Sequence, residues 1–197
     1  MKDEIVNNRE IEYTVNPIFP ERWSPRAMSG EELSKEELMS LFEAARWAPS
    51  AYNNQPWRFL YAKKGTPNWD LFFNLLVEQN QAWVKNASVI VVVISRKIFE
   101  YNGKLSITHS FDAGSAWQSL ALQGSINGLV VHGMSGFDYE KARKDLNVPE
   151  DYNVEAMIAV GKPGNKEDLP EEIQKMEVQS DRKKVSEIVF EGKFKGA

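Results

Sequence analysis

Apolar positions along the chain change their spacing several times, and each change marks an element. Ser34 and Glu37 have capping-box spacing, and Leu38, Leu41, Phe42 and Ala45 then recur at helical period until Pro49 ends the pattern. This predicts a helix over 34–47. Trp57 to Ala62 (WRFLYA) reads as a strand, and Ser88 to Ser95 (SVIVVVIS) as a strand buried on both faces. Trp69, Phe72, Phe73 and Leu76 share a helical face, which predicts one helix over 69–79. The segment from Phe111 to Asn127 is small and apolar all round, as in a central helix packed on several sides, and Gly128 closes it. A strand at 129–132, a short helix after Asp138 and a strand at 155–160 complete the pattern. No internal repeat or low-complexity segment interrupts it.

The last stretch differs. After GKPGN at 161–165 the chain turns charged and proline-bearing, and Val185, Ile188, Val189 and Phe190 form an apolar patch within DRKKVSEIVFEGKF at 181–194. Such a segment is either a final strand on its own sheet or an arm laid on another subunit. The linker before it carries few core residues, which suits the arm.

Composition narrows the function. The 197 residues fit one domain, 1–197, with 42% hydrophobic and 11% aromatic residues, enough for a packed core. A net charge of −4 speaks against a nucleic-acid binder. The absence of cysteine removes disulfides, thiolate nucleophiles and Cys-based metal or cluster sites. The polar start MKDEIVNNREIEYTV lacks the apolar core of a signal peptide, and no run approaches the roughly 18 apolar residues of a membrane span, so a cytoplasmic protein is expected.

The candidate chemistry is concentrated in two loops. ERWSPRAMSG at 21–30 puts Arg22, Ser24 and Arg26 at alternate positions of a segment that Pro25 keeps from being helical, so their side chains can converge on one small anion; a solvated basic turn is the other reading. ARWAPSAYNNQPWRF at 45–59 combines Tyr52 and Trp57 with several amides and hydroxyls, a mix suited to a flat, hydrogen-bonding ring, or simply to a well-packed connection. Neither a dinucleotide fingerprint nor a P-loop is present, and no G-x-S-x-G elbow offers a nucleophile. The two histidines, His109 and His132, are too few for a histidine-rich metal site, and His132 reads as a satisfied structural residue at a strand end. No metal is expected, and what the side chains lack a cofactor must bring.

In chain order, RWSPR at 22–26, APSAYNNQPW at 48–57, NQAWVKNAS at 80–88, HGMSGFD at 132–138 and RKKVSEIVF at 182–190 resemble the motifs of the nitroreductase-like FMN-dependent oxidoreductases. The resemblance implies an α+β, three-layer fold with a mostly antiparallel sheet flanked by helices, in a homodimer that exchanges a C-terminal extension, 166–197. It implies that Arg22, Ser24 and Arg26 grip the FMN phosphate, that Trp23 lies along the ribityl chain, and that Arg182 and Lys183 complete the phosphate site, with Lys184 beside them. Pro49, Ser50, Ala51 and Asn53 would line the flavin from the second subunit, and Asn80 would face the pyrimidine edge. Gly133, Met134, Ser135 and Gly136 would pass beside the ring. Trp83 stands among these positions where some relatives have a lysine, a departure that either moves the stabilising charge elsewhere, to Arg58 or backbone dipoles, or gives the flavin a different potential. The implied reaction passes hydride from NADH or NADPH through FMN to an electron-poor acceptor such as a nitroaromatic or quinone, by ping-pong kinetics and with no catalytic side chain named. The alternatives are a non-catalytic flavin-binding homodimer that stores or senses flavin, and an interaction protein that keeps the motifs as packing.

Overall fold

In the computed structural model, which describes residues 9–195, one turn of helix, α1 (Ile18–Glu21), precedes the extended segment carrying Arg22 to Arg26. Helix α2 (Lys35–Arg46) begins at the capping box: Ser34 Oγ accepts from the Glu37 N–H at 3.1 Å, and Glu37 Oε2 accepts from the Ser34 N–H at 2.7 Å. A 3-10 turn at Ala51–Asn53 leads into β1 (Trp57–Lys63). Then follow α3 (Trp69–Phe73), α4 (Glu78–Val84), β2 (Val89–Arg96), α5 (His109–Ile126), β3 (Val130–Met134), α6 (Tyr139–Asp145) and β4 (Tyr152–Gly161). Two short helices, α7 (Glu171–Met176) and α8 (Val185–Ile188), lie in the tail.

The four strands form one sheet in the order β1-β2-β4-β3, each antiparallel to its neighbour. Alternation along β2 makes it the middle of three layers. Ile90, Val92 and Ile94 enter a cluster with Phe72, Leu75 and Trp83, whereas Val89, Val91 and Val93 enter a second with Leu41, Ala116 and Leu120. Each fully buried aliphatic side chain contributes about 1.5–3 kcal/mol. Helices α2 and α5 therefore cover one face and α3 with α4 the other, as expected for an α+β three-layer fold.

Two departures from the sequence pattern matter for the site. The single helix expected over 69–79 is broken: α3 stops at Phe73, Leu76 bridges to Phe137, and the Val77 N–H donates to the Gly136 carbonyl at 3.1 Å before α4 starts. Leu75 and Leu76 are both buried, and pairing with 136–138 wins over helical propensity there. The second departure is a β-bulge at Glu155, since Val93 faces Ala156 while Ile94 faces Val154. It turns the Glu155 carboxylate towards Ser95, Ser110 and His109.

Within the extension 166–197, Leu169 is buried in the first cluster, Ile173 packs against it and Glu177 is buried, so these side chains are covered by their own chain. Beyond them Val185, Ile188, Val189 and Phe194 are exposed.

Candidate functional site

The segment 22–27 is held from three sides. Arg22 Nη1 donates to Ser24 Oγ at 3.3 Å and to the Trp23 carbonyl at 2.9 Å, so the alternation read from the sequence does bring these two side chains together. Among the described residues no carboxylate pairs with Arg22. Burial lowers its pKa from the ordinary arginine value, and the neighbouring charges of Arg182 and Arg9 lower it further. A half-buried cation beside two like charges and a hydroxyl is a donor set suited to a phosphate dianion.

Arg26 faces elsewhere. Its backbone N–H and that of Ala27 donate to Glu177 Oε1 at 2.7 and 2.9 Å, and its guanidinium lies 3.8 Å from Glu177 Oε2 and donates to the Met176 carbonyl at 3.2 Å. Glu177 is 8% exposed and ties the segment to the tail. Nothing in the charge run EEIQKMEV distinguishes it from a solvated acid, so sequence reasoning missed it.

The same segment is joined to the sheet through His132. Its Nδ1–H donates to the Pro25 carbonyl at 2.9 Å, and its ring stands 4.6 Å from that of Trp83. Burial lowers its pKa; the hydrogen bond to Pro25 opposes this, and Arg26 adds to it. His132 is the satisfied structural histidine the sequence suggested. Trp83 is 2% exposed and Met134 is buried as well, so both side chains belong to the core beneath the site.

The broken helix places Asn80 against the end of β3. Its Nδ2 donates to the Gly136 carbonyl at 2.9 Å, and a Cβ at 136 would lie 2.7 Å from that nitrogen. A Cβ at 133 would approach the Trp117 ring to 3.0 Å. Glycine at these two positions keeps the strand end close to its neighbours while Gly133 and Ser135 stay exposed.

Pro49, Ser50, Ala51 and Asn53 lie apart from all of this. The Ala51 N–H donates to Asp112 Oδ2 at 3.1 Å in the first turn of α5, and the Gln55 N–H donates to Ser50 Oγ at 3.0 Å. Tyr52, Asn53 and Gln55 have φ of 53°, 53° and 45°, and exposed Tyr52 touches the rings of Phe99 and Tyr101. Arg58, a candidate stabilising charge, is engaged with Glu100 at 3.1 Å beside this loop. A cavity of about 860 Å³ beside Arg22 and Trp23 is instead walled by Ala121 and Ser125, near the other end of α5. At about 1.5 Å per residue, the helix from Asp112 to Ser125 is about 20 Å long. Asn80 and residues 133–136 do not line that cavity, which lies on the α5 side of the Arg22 segment.

From the tail, Arg182 Nη1 donates to the Ser180 carbonyl and hydroxyl at 3.1 and 3.0 Å, and exposed Lys183 follows it. Arg9 is a further cation at this place, outside every motif in the sequence; its guanidinium donates to the carbonyls of Pro20, Arg22 and Ser180.

Known proteins share this sequence and fold to different degrees. A solved oxidoreductase containing FMN is 47% identical, with 97% of this chain and 98% of that one covered and a TM-score of 0.93. Protein DrgA of Synechocystis sp. is 26% identical over 189 residues, covering 80% of this chain and 86% of DrgA. An oxygen-insensitive NADPH nitroreductase of Helicobacter pylori is 38% identical over 68 residues, 34% of this chain and 30% of that protein. The sequence model of the nitroreductase family matches residues 20–68 and 66–162, a span that runs from the Arg22 segment to the end of β4, and the chain belongs to that family.

Proposed function

We propose that the protein is an FMN-dependent oxidoreductase that passes hydride from NADH or NADPH to an electron-poor acceptor such as a nitroaromatic or a quinone. The observation that carries this reading is Arg22: half-buried, beside Ser24 Oγ, with Arg9 and Arg182 near and, among the described residues, no carboxylate paired to it. The FMN content of the 47% identical relative and the NADPH nitroreductase name of the Helicobacter pylori relative support the cofactor and the donor.

Arg22, Trp23 and Ser24, with Arg26, Arg182 and Lys183 around them, would hold the phosphate end. Asn80, exposed Gly133 and Ser135, and Gly136 would border the ring, over a floor stiffened by buried Trp83 and Met134. FMN bound there would supply the hydride chemistry, accepting from the nicotinamide and giving to the acceptor in separate half-reactions. The chain's own part is to orient the ring, keep one face open and exclude bulk water from the other.

A homodimer completes the arrangement. Pro49, Ser50, Ala51 and Asn53 sit at the opposite end of α5 from Arg22, so a second copy is what would bring that loop to the flavin. Exposed Phe111 and Ile126 on α5, and Val185, Ile188 and Val189 in the tail, offer the apolar surface for it.

Anaerobic addition of NADH or NADPH to the purified yellow protein tests the activity. Bleaching of the flavin absorbance, and its return on adding a quinone, is the expected result. Bound flavin that neither nucleotide bleaches would leave a flavin store or sensor in place of the enzyme.

A further inference from the structure

We propose that Arg9 is a positioning residue for the cofactor phosphate, holding the Arg22 and Arg182 arms of the clamp at one fixed separation. This rests on the FMN reading above and adds a residue to it. Arg9 Nη1 donates to the Pro20 carbonyl at 2.7 Å and the Arg22 carbonyl at 2.9 Å, while Nε donates to the Ser180 carbonyl at 2.9 Å. The first two carbonyls belong to the chain entering the clamp. The third belongs to the tail, two residues before Arg182. One planar guanidinium therefore spans two segments far apart in sequence, with its donors in a rigid fork.

Charge strengthens the case. Arg182 is close enough to act on both neighbours: burial lowers the pKa of Arg9, Arg182 lowers it further and Asp181 pulls the other way, while burial, Arg182 and Arg9 lower that of Arg22. Arg22 and Arg182 donate to carbonyls and hydroxyls here, and the hydrogen bonds from Arg9 hold the segments that carry them, so the cluster presents positive charge to an added anion. Arg9 also lines the same cavity as Arg22, Trp23 and Asp181, so its charge acts on that space directly. A lysine at position 9 would keep the charge but could not reach three carbonyls in two segments from one ammonium with the same geometry.

The test compares FMN with riboflavin, which carries the same ring and ribityl chain without the phosphate. Dissociation constants are measured by flavin fluorescence quenching for the unaltered protein, Arg9→Met, Arg9→Lys and Arg22→Ala, each at two salt concentrations. Arg9→Met is expected to weaken FMN by about ten-fold or more and to leave riboflavin within about two-fold, with Arg9→Lys between Met and Arg. The dependence of FMN binding on salt should also become shallower in Arg9→Met. Equal losses for FMN and riboflavin would reduce Arg9 to a support of the fold and overturn the proposal. So would FMN binding unchanged in Arg9→Met while Arg22→Ala loses it, a result that leaves the FMN reading standing. Retention of FMN by Arg22→Ala as well would remove both. If Arg9→Met fails to fold, Arg9→Lys carries the same comparison.

Discussion

The two ends of α5 are ordered by opposite means. At the Arg22 end, side chains do the holding: Arg9 and Glu177 bind backbone groups of the clamp, and the cost is like charge packed close together. At the Asp112 end the backbone carries the strain, with Tyr52, Asn53 and Gln55 in the left-handed region at a cost on the order of 1 kcal/mol each. The first arrangement leaves a half-buried guanidinium beside two like charges. The second presents an exposed aromatic ring, and its Arg58 is paired with Glu100. In the proposed homodimer each end would be half of a site, and the length of α5 would keep the halves of one chain from meeting.

The strongest way to break this contrast is to remove the charge. Arg22→Ala with Arg26→Ala should leave a folded protein that binds FMN roughly 100- to 10,000-fold more weakly, since hydrogen bonds to charged groups contribute about 1.5–3 kcal/mol each. Arg22→Ala alone should carry most of the loss, because Arg26 is already engaged by Glu177. Flavin occupancy unchanged after dialysis of the double variant would refute the assignment of the clamp.

Ending the chain after Ser180 probes how the two halves meet. The cut removes Arg182 and Lys183 together with exposed Val185, Ile188 and Val189, each side chain bringing about 1.5–3 kcal/mol if a second copy buries it fully. Self-association and FMN should weaken together, and added FMN should partly restore the dimer by mass action. Light scattering over a range of protein concentration, with and without FMN, measures this. A truncated protein that stays dimeric and keeps its flavin would make the tail a local feature.

The smallest effect belongs to the link between clamp and sheet. Burial lowers the pKa of His132 in the folded protein below its ordinary 6.5, so the unfolded chain takes up a proton that the folded one resists. Its contribution is present above 6.5 and is lost as the pH falls below that value. His132→Asn, which can keep a donor near the Pro25 carbonyl, should flatten the fall in thermal midpoint between about pH 7.5 and about pH 5.5. An unaltered slope would mean that other groups dominate that window.

Legibility in the sequence followed the kind of partner each residue has. Helix α2 and strand β2 were readable because capping and alternation are written in adjacent side chains. Arg22 and Ser24 were readable for the same reason, their spacing matching an extended backbone. The break between α3 and α4 was not, since Leu75 and Leu76 fit a helix equally well and the break is imposed by Gly136 and Phe137, about sixty residues away. Arg9 left no trace because the groups it is seen to hold are backbone carbonyls, which every residue has. Glu177 looked like any acid in a charged helix until the fold buried it.

The bulge at Glu155 has a consequence for insertions and deletions. On β4, Val154 shares a cluster with Met157 and Ala159, although alternation alone would put an even-numbered residue on the other face from odd-numbered ones. One supernumerary residue reconciles the two halves of the strand, and that residue is Glu155. Replacing it changes a polar contact with Ser95, Ser110 and His109 but leaves the alternation intact. Deleting it would leave Val154 and Met157 two positions apart on a regular strand, still on one face, so the bulge and its polar contacts would go while both halves of β4 kept their layers. The fold should therefore accept both substitution and loss of this residue, whereas an insertion or deletion elsewhere within the paired part of β2 would shift the register.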